Sequence, residues 1–256
     1  LGFQEMYDLS SGIKTFGDLY DLHEYGNIVG SEGNDIILGG VSHGVGLSGG
    51  IGDDILYGNA LDSLRFDLEE ELTTEDIIGT AINKINDHVD INLGDNSLTL
   101  NNILVDARSA EDMWGGTDNI FGIENAYGSS GDDAIFGSDN DNELIAGAGD
   151  DMIYGGSGSD ILDGGDGQDV FIFLQSDLEK ANNDIDTIKN FDVNEDKLSF
   201  DKLGINDIEI ELIDNEGGAD AVLSFNDQAD WGSVILVDVG RLDTDDIIID
   251  SGVTVG

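Results

Sequence analysis

Residues 128–172 divide without remainder into five nonapeptides: GSSGDDAIF, GSDNDNELI, AGAGDDMIY, GGSGSDILD and GGDGQDVFI. The sixth position reads Asp133, Asn142, Asp151, Asp160 and Asp169; the eighth reads Ile135, Leu144, Ile153, Leu162 and Phe171. Glycines at the front of each unit permit the positive φ angles of a tight turn. The last three residues mark entry to a short strand with one inward side chain. Two units make an 18-residue coil of strand, turn, strand and turn, and successive coils stack as parallel strands about 4.8 Å apart. The eighth-position side chains then line an interior, while the sixth-position carboxylates fall into a column along each edge.

The same pattern occurs earlier in GSEGNDIIL (Gly30 to Leu38) and GGIGDDILY (Gly49 to Tyr57). Between them lies a degenerate GGVSHGVGL with Gly44 where the acid belongs, followed by one extra residue, Ser48. Residues 58–127 form an insert of another character. TTEDIIGTAINKIND places Ile77, Ile78, Ala81, Ile82 and Ile85 on one helical face, interrupted by Gly79. HVDINLGDNSLTL alternates Val89, Ile91 and Leu93 before Gly94-Asp95-Asn96, which predicts a hairpin turning there. GGTDNIFGIENAYG leads back to the repeats, with Asp118 and Ile120 echoing the sixth and eighth positions. After Phe173 the glycine period stops, and residues 173–256 read as short strands and polar turns forming a cap. Residues 1–29 read as a flank with weak helical periodicity.

Charge dictates the next step. There are 56 acidic and 9 basic residues, for a formal net charge of −47. Two carboxylates ~4 Å apart repel by about 1 kcal/mol in water and more where water is excluded. Dozens of such pairs rival the net stability of a domain, about 5–15 kcal/mol, so a neutralising cation is implied. The same charge excludes nucleic acid and anionic membrane as partners, since both call for clustered Lys and Arg. No cysteine is present, so no disulfide staples the chain. No apolar run approaches the roughly 18 residues of a membrane span. The N-terminus LGFQEMYDLS lacks the basic and apolar regions of a signal peptide, and the chain reads as a piece of a longer polypeptide.

A column of carboxylates beside glycine-rich turns asks for a hard cation with oxygen ligands. Calcium fits best, because it takes 6–8 oxygens in flexible geometry, main-chain carbonyls included. The repeat resembles the RTX calcium-binding nonapeptide GGxGxDxUx. The resemblance runs from IENAYGSSGDDAIFG through GGDGQDVFIF into DTIKNFDVNEDKLSF, and is to the C-terminal β-roll and cap of serralysin-like proteases and RTX adhesins. It implies an all-β fold: a right-handed parallel β-roll with an inserted mixed segment and an antiparallel β-rich cap. It further implies several calcium ions, each held between turn i and turn i+2 by carbonyls and sixth-position side chains. Carried onto this sequence, Ser129, Gly131 and Asp133 face Ala146, Ala148 and Asp151, and Gly147, Gly149 and Asp151 face Gly164, Asp166 and Asp169. On the other edge Ser138, Asn140 and Asn142 face Gly155, Ser157 and Asp160. In the first block Ser31, Gly33 and Asp35 face Gly49, Ile51 and Asp54, with Asp118 as a further metal residue. Asn142 removes one charge and predicts a weaker site, and Gly44 predicts an edge without calcium.

The resemblance implies a non-enzymatic, monomeric module of a larger polypeptide. Such a module is exported by type I secretion machinery from a Gram-negative bacterium and folds on calcium outside the cell. The alternatives are the tail of a secreted protease, lipase or polysaccharide-modifying enzyme, and the ligand-binding end of an adhesin acting through residues 58–127. That insert reads either as a structural flank of the roll or as a ligand-binding module. Other motifs fall away. GLSGG (Gly46 to Gly50) lacks the strand–turn–helix context of a nucleophile elbow, HEYGN has Asn27 where a zincin needs its second His, and DVNEDK lacks the glycine and final Glu of an EF-hand.

Overall fold

The computed structural model describes residues 27–30, 36–38, 46–49, 53–58, 63–65, 88–111, 116–179, 184–200, 208–215, 218–225, 232–237, 239 and 249–250. Within them the chain forms two 10-stranded sheets and a two-stranded one. In spatial order the first holds β1 (Asn27–Val29), β3 (Gly46–Ser48), β5 (Ser63–Arg65), β11 (Asn125–Tyr127) and β13 (Glu143–Ala148). It continues with β15 (Ile161–Asp166), β17 (Ile185–Lys189), β21 (Ser233–Leu236), β20 (Gly218–Phe225) and β19 (Ile208–Asn215). The second holds β2 (Ile36–Leu38), β4 (Ile55–Tyr57), β10 (Thr117–Phe121), β9 (Ser109–Glu111) and β6 (Asp90–Asn92). It continues with β12 (Ala134–Ser138), β14 (Met152–Gly156), β16 (Val170–Phe173), β18 (Lys197–Phe200) and β22 (Ile249–Asp250). Consecutive strands of the repeats alternate between the sheets, which is the β-roll that an 18-residue coil requires.

The eighth-position residues form the interior. Leu144 pairs in register with Ala126 and Leu162, and Leu162 with Ile188. Across the roll Ile91, Ile135, Ile153, Phe171 and Leu198 follow one another in parallel register. All of these side chains are fully buried. At about 1.5–3 kcal/mol for each large apolar side chain removed from water, this ladder is the main attractive term.

The two repeat blocks belong to one continuous roll. Ser63 of β5 is in parallel register with Asn125 of β11, and Ile55 of β4 with Asn119 of β10. Within residues 58–127, β5 and β11 continue the first sheet, while in the second β9 runs antiparallel to both β10 and β6 before β6 resumes parallel pairing with β12. The hairpin predicted around Gly94 to Asn96 forms elsewhere. β6 does not pair with the strand that follows it; the hairpin is β7 (Leu98–Leu100) with β8 (Ile103–Val105). Its turn is Asn101-Asn102, at φ 49° and 71°. Two successive left-handed residues match the twist of a two-residue hairpin, and Asn tolerates that region. At 94–96 the chain instead bends: Asn92 Oδ1 accepts the Gly94 N–H at 2.9 Å, and Arg108 donates its N–H to Gly94 O at 3.0 Å while its guanidinium pairs with Asp95.

The hairpin covers the outer face of the second sheet. Leu100 and Val105 pack with Ala134, Phe136, Met152, Ile172 and Leu174 in a second apolar cluster outside the roll. Asn92 anchors it, its Nδ2 donating to Asn96 O and Val105 O at 3.0 and 3.1 Å. The helix predicted over 77–85 lies outside the described residues, and the helix among them is the single turn α1 (Gln175–Leu178). Beyond the last nonapeptide parallel stacking persists: β17 and β18 add to the two sheets, then β21 and β22. Antiparallel pairing is confined there to β19, β20 and β21. No helix among the described residues is long and apolar enough to cross a membrane.

Candidate metal centre

Each sixth-position side chain reaches back one coil. Asp151 Oδ1 accepts the Asp133 N–H at 2.7 Å, and Asp169 Oδ1 accepts the Asp151 N–H at 3.0 Å. On the opposite edge Asp160 Oδ1 accepts the Asn142 N–H at 2.8 Å. Fifth-position side chains run the other way on the surface: Asp132 Oδ1 accepts the Asp150 N–H at 2.8 Å and Asp150 Oδ1 the Gln168 N–H at 3.0 Å. The inner ladder is buried, with Asp133, Asp151, Asp160 and Asp169 at 2, 1, 1 and 0 % exposure.

Both oxygens of Asp133 are satisfied, but in the other three inner carboxylates only one is. Asp151 Oδ2, Asp160 Oδ2 and Asp169 Oδ2 are buried without a hydrogen-bond partner. Leaving one buried polar atom unsatisfied costs about 1–3 kcal/mol, and more for a charged group. Glycine-bordered main-chain oxygens crowd the same turns. A Cβ at Gly128 would collide with Asp133 Oδ2 and Ala146 O, one at Gly147 with Ser129 O, and one at Gly149 with Gly131 O. Likewise a Cβ at Gly165 would strike Gly147 O, and one at Gly167 would strike Gly149 O. Gly155 and Gly164 lie against Asp160 Oδ2 and Asp169 Oδ2. The turns are therefore narrow spaces walled by oxygen, closed to any side chain.

The electrostatics call for a positive charge. Burial pushes the Asp151 carboxyl up to about 8, against the lowering effect of the Asp133 N–H, with the charges of Asp133, Asp169 and Asp132 adding to the rise. Burial likewise raises Asp160 to about 8, reinforced by the Asp186 charge, and Asp186 to about 7. Asp133 and Asp169 rise to about 6, each from burial first. Protein groups alone hold these carboxylates poorly as anions. A hard divalent cation suits this donor set of carboxylates and carbonyls.

Of the predicted ligand residues, the structure brings Ser129, Gly131 and Asp133 against Ala146, Gly147 and Gly149, and Ala148 donates its N–H to Ser129 O at 3.3 Å. Gly164 adjoins Asp169, and Asp166 O accepts the Gly149 N–H at 2.9 Å. Ser138 faces Ser157 and Gly156, Asn140 faces Gly158, and Asn142 faces Gly155 and Asp160. Gly49, Asp54 and Asp118 converge, and Asp118 Oδ1 accepts the Asp54 N–H at 3.0 Å, so Asp118 stands to Asp54 as Asp151 stands to Asp133. Ser31, Gly33, Asp35 and Ile51 lie outside the described residues. Among the described residues no three acidic or histidine side chains gather in one metal-binding group; carbonyls outnumber carboxylates in these turns.

Two members of the columns escaped the nonapeptide reading. Asp186 Oδ1 accepts the Asp160 N–H and Asp196 Oδ1 the Asp169 N–H, both at 3.0 Å. Their signal was present: Asp186-Thr187-Ile188 and Asp196-Lys197-Leu198 keep the acid and the inward hydrophobe two apart, without glycines. DVNEDK is the turn carrying Asp196, whose Oδ2 accepts the Asp192 N–H at 2.8 Å as Asp133 Oδ2 accepts that of Ser129 at 2.6 Å.

The family described as the RTX calcium-binding nonapeptide repeat matches in four copies, at residues 27–42, 47–61, 118–151 and 136–171. The chain carries an RTX β-roll. The matched copies coincide with coils of the roll on both sides of the insert, and the match describes a binding repeat, not a catalytic domain. No curated protein matches the sequence. Among solved structures the RTX roll is similar to a subunit of the mannuronan C5-epimerase of Azotobacter vinelandii, at 24% identity and TM-score 0.37, covering 50% of this chain and 77% of that one. A second subunit of that epimerase aligns at 26% identity and TM-score 0.33, covering 50% and 94%. The extracellular lipase LipA of Serratia marcescens aligns at 19% identity and TM-score 0.27, covering 88% of this chain and 38% of the lipase.

Proposed function

We propose that this RTX roll is a calcium-folded module of a larger polypeptide exported by type I secretion from a Gram-negative bacterium. The observation that carries the reading is the set of buried, unpartnered oxygens Asp151 Oδ2, Asp160 Oδ2 and Asp169 Oδ2 beside converging carbonyls. Calcium bound there supplies the positive charge that the columns lack. The chain's own part is to hold those oxygens in place: the i to i+18 hydrogen bonds fix each carboxylate, glycine keeps the turns open to main-chain oxygens, and the apolar ladder sets the spacing. Asp133, Asp151 and Asp169 with the carbonyls of Ser129, Gly131, Ala146, Gly147 and Gly149 hold ions along one edge. Asn142, Asp160 and Asp186 with the carbonyls of Ser138 and Gly155 hold them along the other.

Because the unfolded chain lacks these sites, binding free energy becomes folding free energy. In calcium-poor cytosol the carboxylates repel and the chain stays extended, ready for export; in calcium-rich surroundings the roll forms. The insert serves the roll, since its β9 joins the second sheet and its hairpin shields Phe136, Met152 and Ile172. Small-angle scattering tests the reading. A compact chain of this length has a radius of gyration of about 18 Å and an unfolded one about 56 Å. The calcium-loaded chain should lie near the first and the chelator-treated chain near the second. Equal radii in the two conditions would refute calcium-linked folding.

A further inference from the structure

The turn that departs from the repeat is built differently from its neighbours. Asn142 Oδ1 accepts the Ser138 N–H at 2.7 Å, and Asn142 Nδ2 donates to Glu124 O at 2.7 Å. A main-chain donor on one side and a main-chain acceptor on the other fix which end of the amide is which; turned over, it would set oxygen against oxygen. The Glu124 carboxylate completes the arrangement. Its Oε2 accepts from Ser138 Oγ and Asn140 Nδ2, both at 3.1 Å, and lies 3.4 Å from Asn142 Nδ2. Asn142 Oδ1 in turn borders the same space as Gly155 O, since a Cβ at Gly137 would collide with both. Asp133 Oδ2 and Ala146 O stand in that relation at Gly128.

The cause lies in the coil above. Asp133 Oδ1 meets the Val89 N–H at 2.8 Å, and Asp151 Oδ1 meets the Asp133 N–H. At 142 the chain arrives from the short β10–β11 connection instead of a glycine-rich nonapeptide turn, with Gly122 at φ 70°. What it presents to position 142 is a carbonyl and a carboxylate, not an N–H. An acid there would meet two acceptors; an amide meets them with its NH2 and keeps its oxygen for the turn below.

We propose that Asn142 is the ligand its site requires, and that Glu124 is a positioning residue. Glu124, by accepting from Asn142 Nδ2 and from the Ser138 and Asn140 side chains, keeps the Asn142 oxygen turned toward a cation shared with Asp160. This rests on the calcium reading above and replaces a site weakened by loss of a charge with one completed by the amide.

The test is a calcium titration of the full chain by calorimetry and far-UV circular dichroism, comparing wild type, Asn142→Asp, Glu124→Gln and the double variant. Asn142→Asp restores the repeat's usual acid, yet it should raise the calcium midpoint about five- to a hundredfold, the scale of one buried polar mismatch. Glu124→Gln should stay within about twofold, because its amide oxygen still accepts the same donors. The double variant should recover part of the loss, because Gln can turn its NH2 toward the new acid. Tighter binding by Asn142→Asp, or an effect of that change equal in both backgrounds, overturns the proposal and leaves the calcium reading standing. Should Asn142→Asp not fold at any calcium level, folding of the double variant supports the proposal, and failure of both overturns it. A wild type indifferent to calcium overturns both readings.

Discussion

The Asp169 N–H donates to Asp196 Oδ1 at 3.0 Å across 27 residues, although the glycine period has ended between them. The carboxylate column thus runs past the repeats and closes on the turn at Asp192 to Asp196. Asp196→Ala should therefore behave like loss of a repeat acid. It frees the Asp169 and Asp192 N–H groups, at a cost of about 1–3 kcal/mol, and raises the calcium needed for folding. Urea unfolding in saturating calcium measures it, with Glu195→Ala, a change at the exposed neighbouring position, as the unaffected control.

Inner and outer ladders make similar hydrogen bonds but differ in burial. Asp151 is 1 % exposed and stands between Asp133 and Asp169, whereas Asp132 is exposed. Asp151→Ala should raise the calcium midpoint strongly and lower the number of bound ions. Asp132→Ala should leave the ion count unchanged and the midpoint close to wild type. Equilibrium dialysis with calcium distinguishes the two, and equal effects would deny the inner column its role.

Acidity should replace calcium in part. The folded pKa values of about 6 for Asp133 and Asp169 and about 8 for Asp151 and Asp160 lie above the ordinary 3.8. A carboxyl raised on folding binds its proton more tightly in the folded state. Its contribution is complete below about pH 4 and is lost as pH rises through 6 to 8. In chelator the chain should therefore show more β structure at pH 5 than at pH 8. With calcium the sign reverses, because the ion must displace those protons. The calcium midpoint should rise as pH falls from 8 to 5, with proton release on binding; a midpoint independent of pH contradicts the assignment.

The insert's hairpin should be needed for a dry outer face. Phe136 is fully buried beneath it, in edge-on contact with Tyr154 at 6.4 Å between ring centroids. Phe136→Ala should cost about 3–5 kcal/mol. Replacing residues 97–106 by a short glycine–serine linker should leave the roll calcium-dependent but able to bind a hydrophobic dye. Unchanged dye binding would show that the hairpin covers nothing.

Legibility followed the repeat. Where glycine, acid and hydrophobe recur every nine residues, each position has one physical role, so Ile135 to Phe171 and Asp133 to Asp169 could be placed from sequence. The roll beyond was harder to read because Asp186 and Asp196 keep only the acid-to-hydrophobe spacing. The strand at Ile91 was visible in its alternation, but its partners, Ala110 in an antiparallel strand and Ile135 in a parallel one, are tertiary choices. The hairpin turn was misplaced because Gly94-Asp95-Asn96 is the stronger local turn signal, whereas Asn101-Asn102 is preferred by the packing of Leu100 and Val105 on Phe136. Glu124 left no trace in the repeat pattern, since its role depends on the coil stacked against it.

An ion bound in the carboxylate columns should make the roll fold. Far-UV circular dichroism during calcium titration, followed by chelator, tests it most directly. A cooperative change from coil to β structure that chelator reverses is the expected result. A β spectrum that is already present without calcium at neutral pH, and unchanged by chelator, would contradict it.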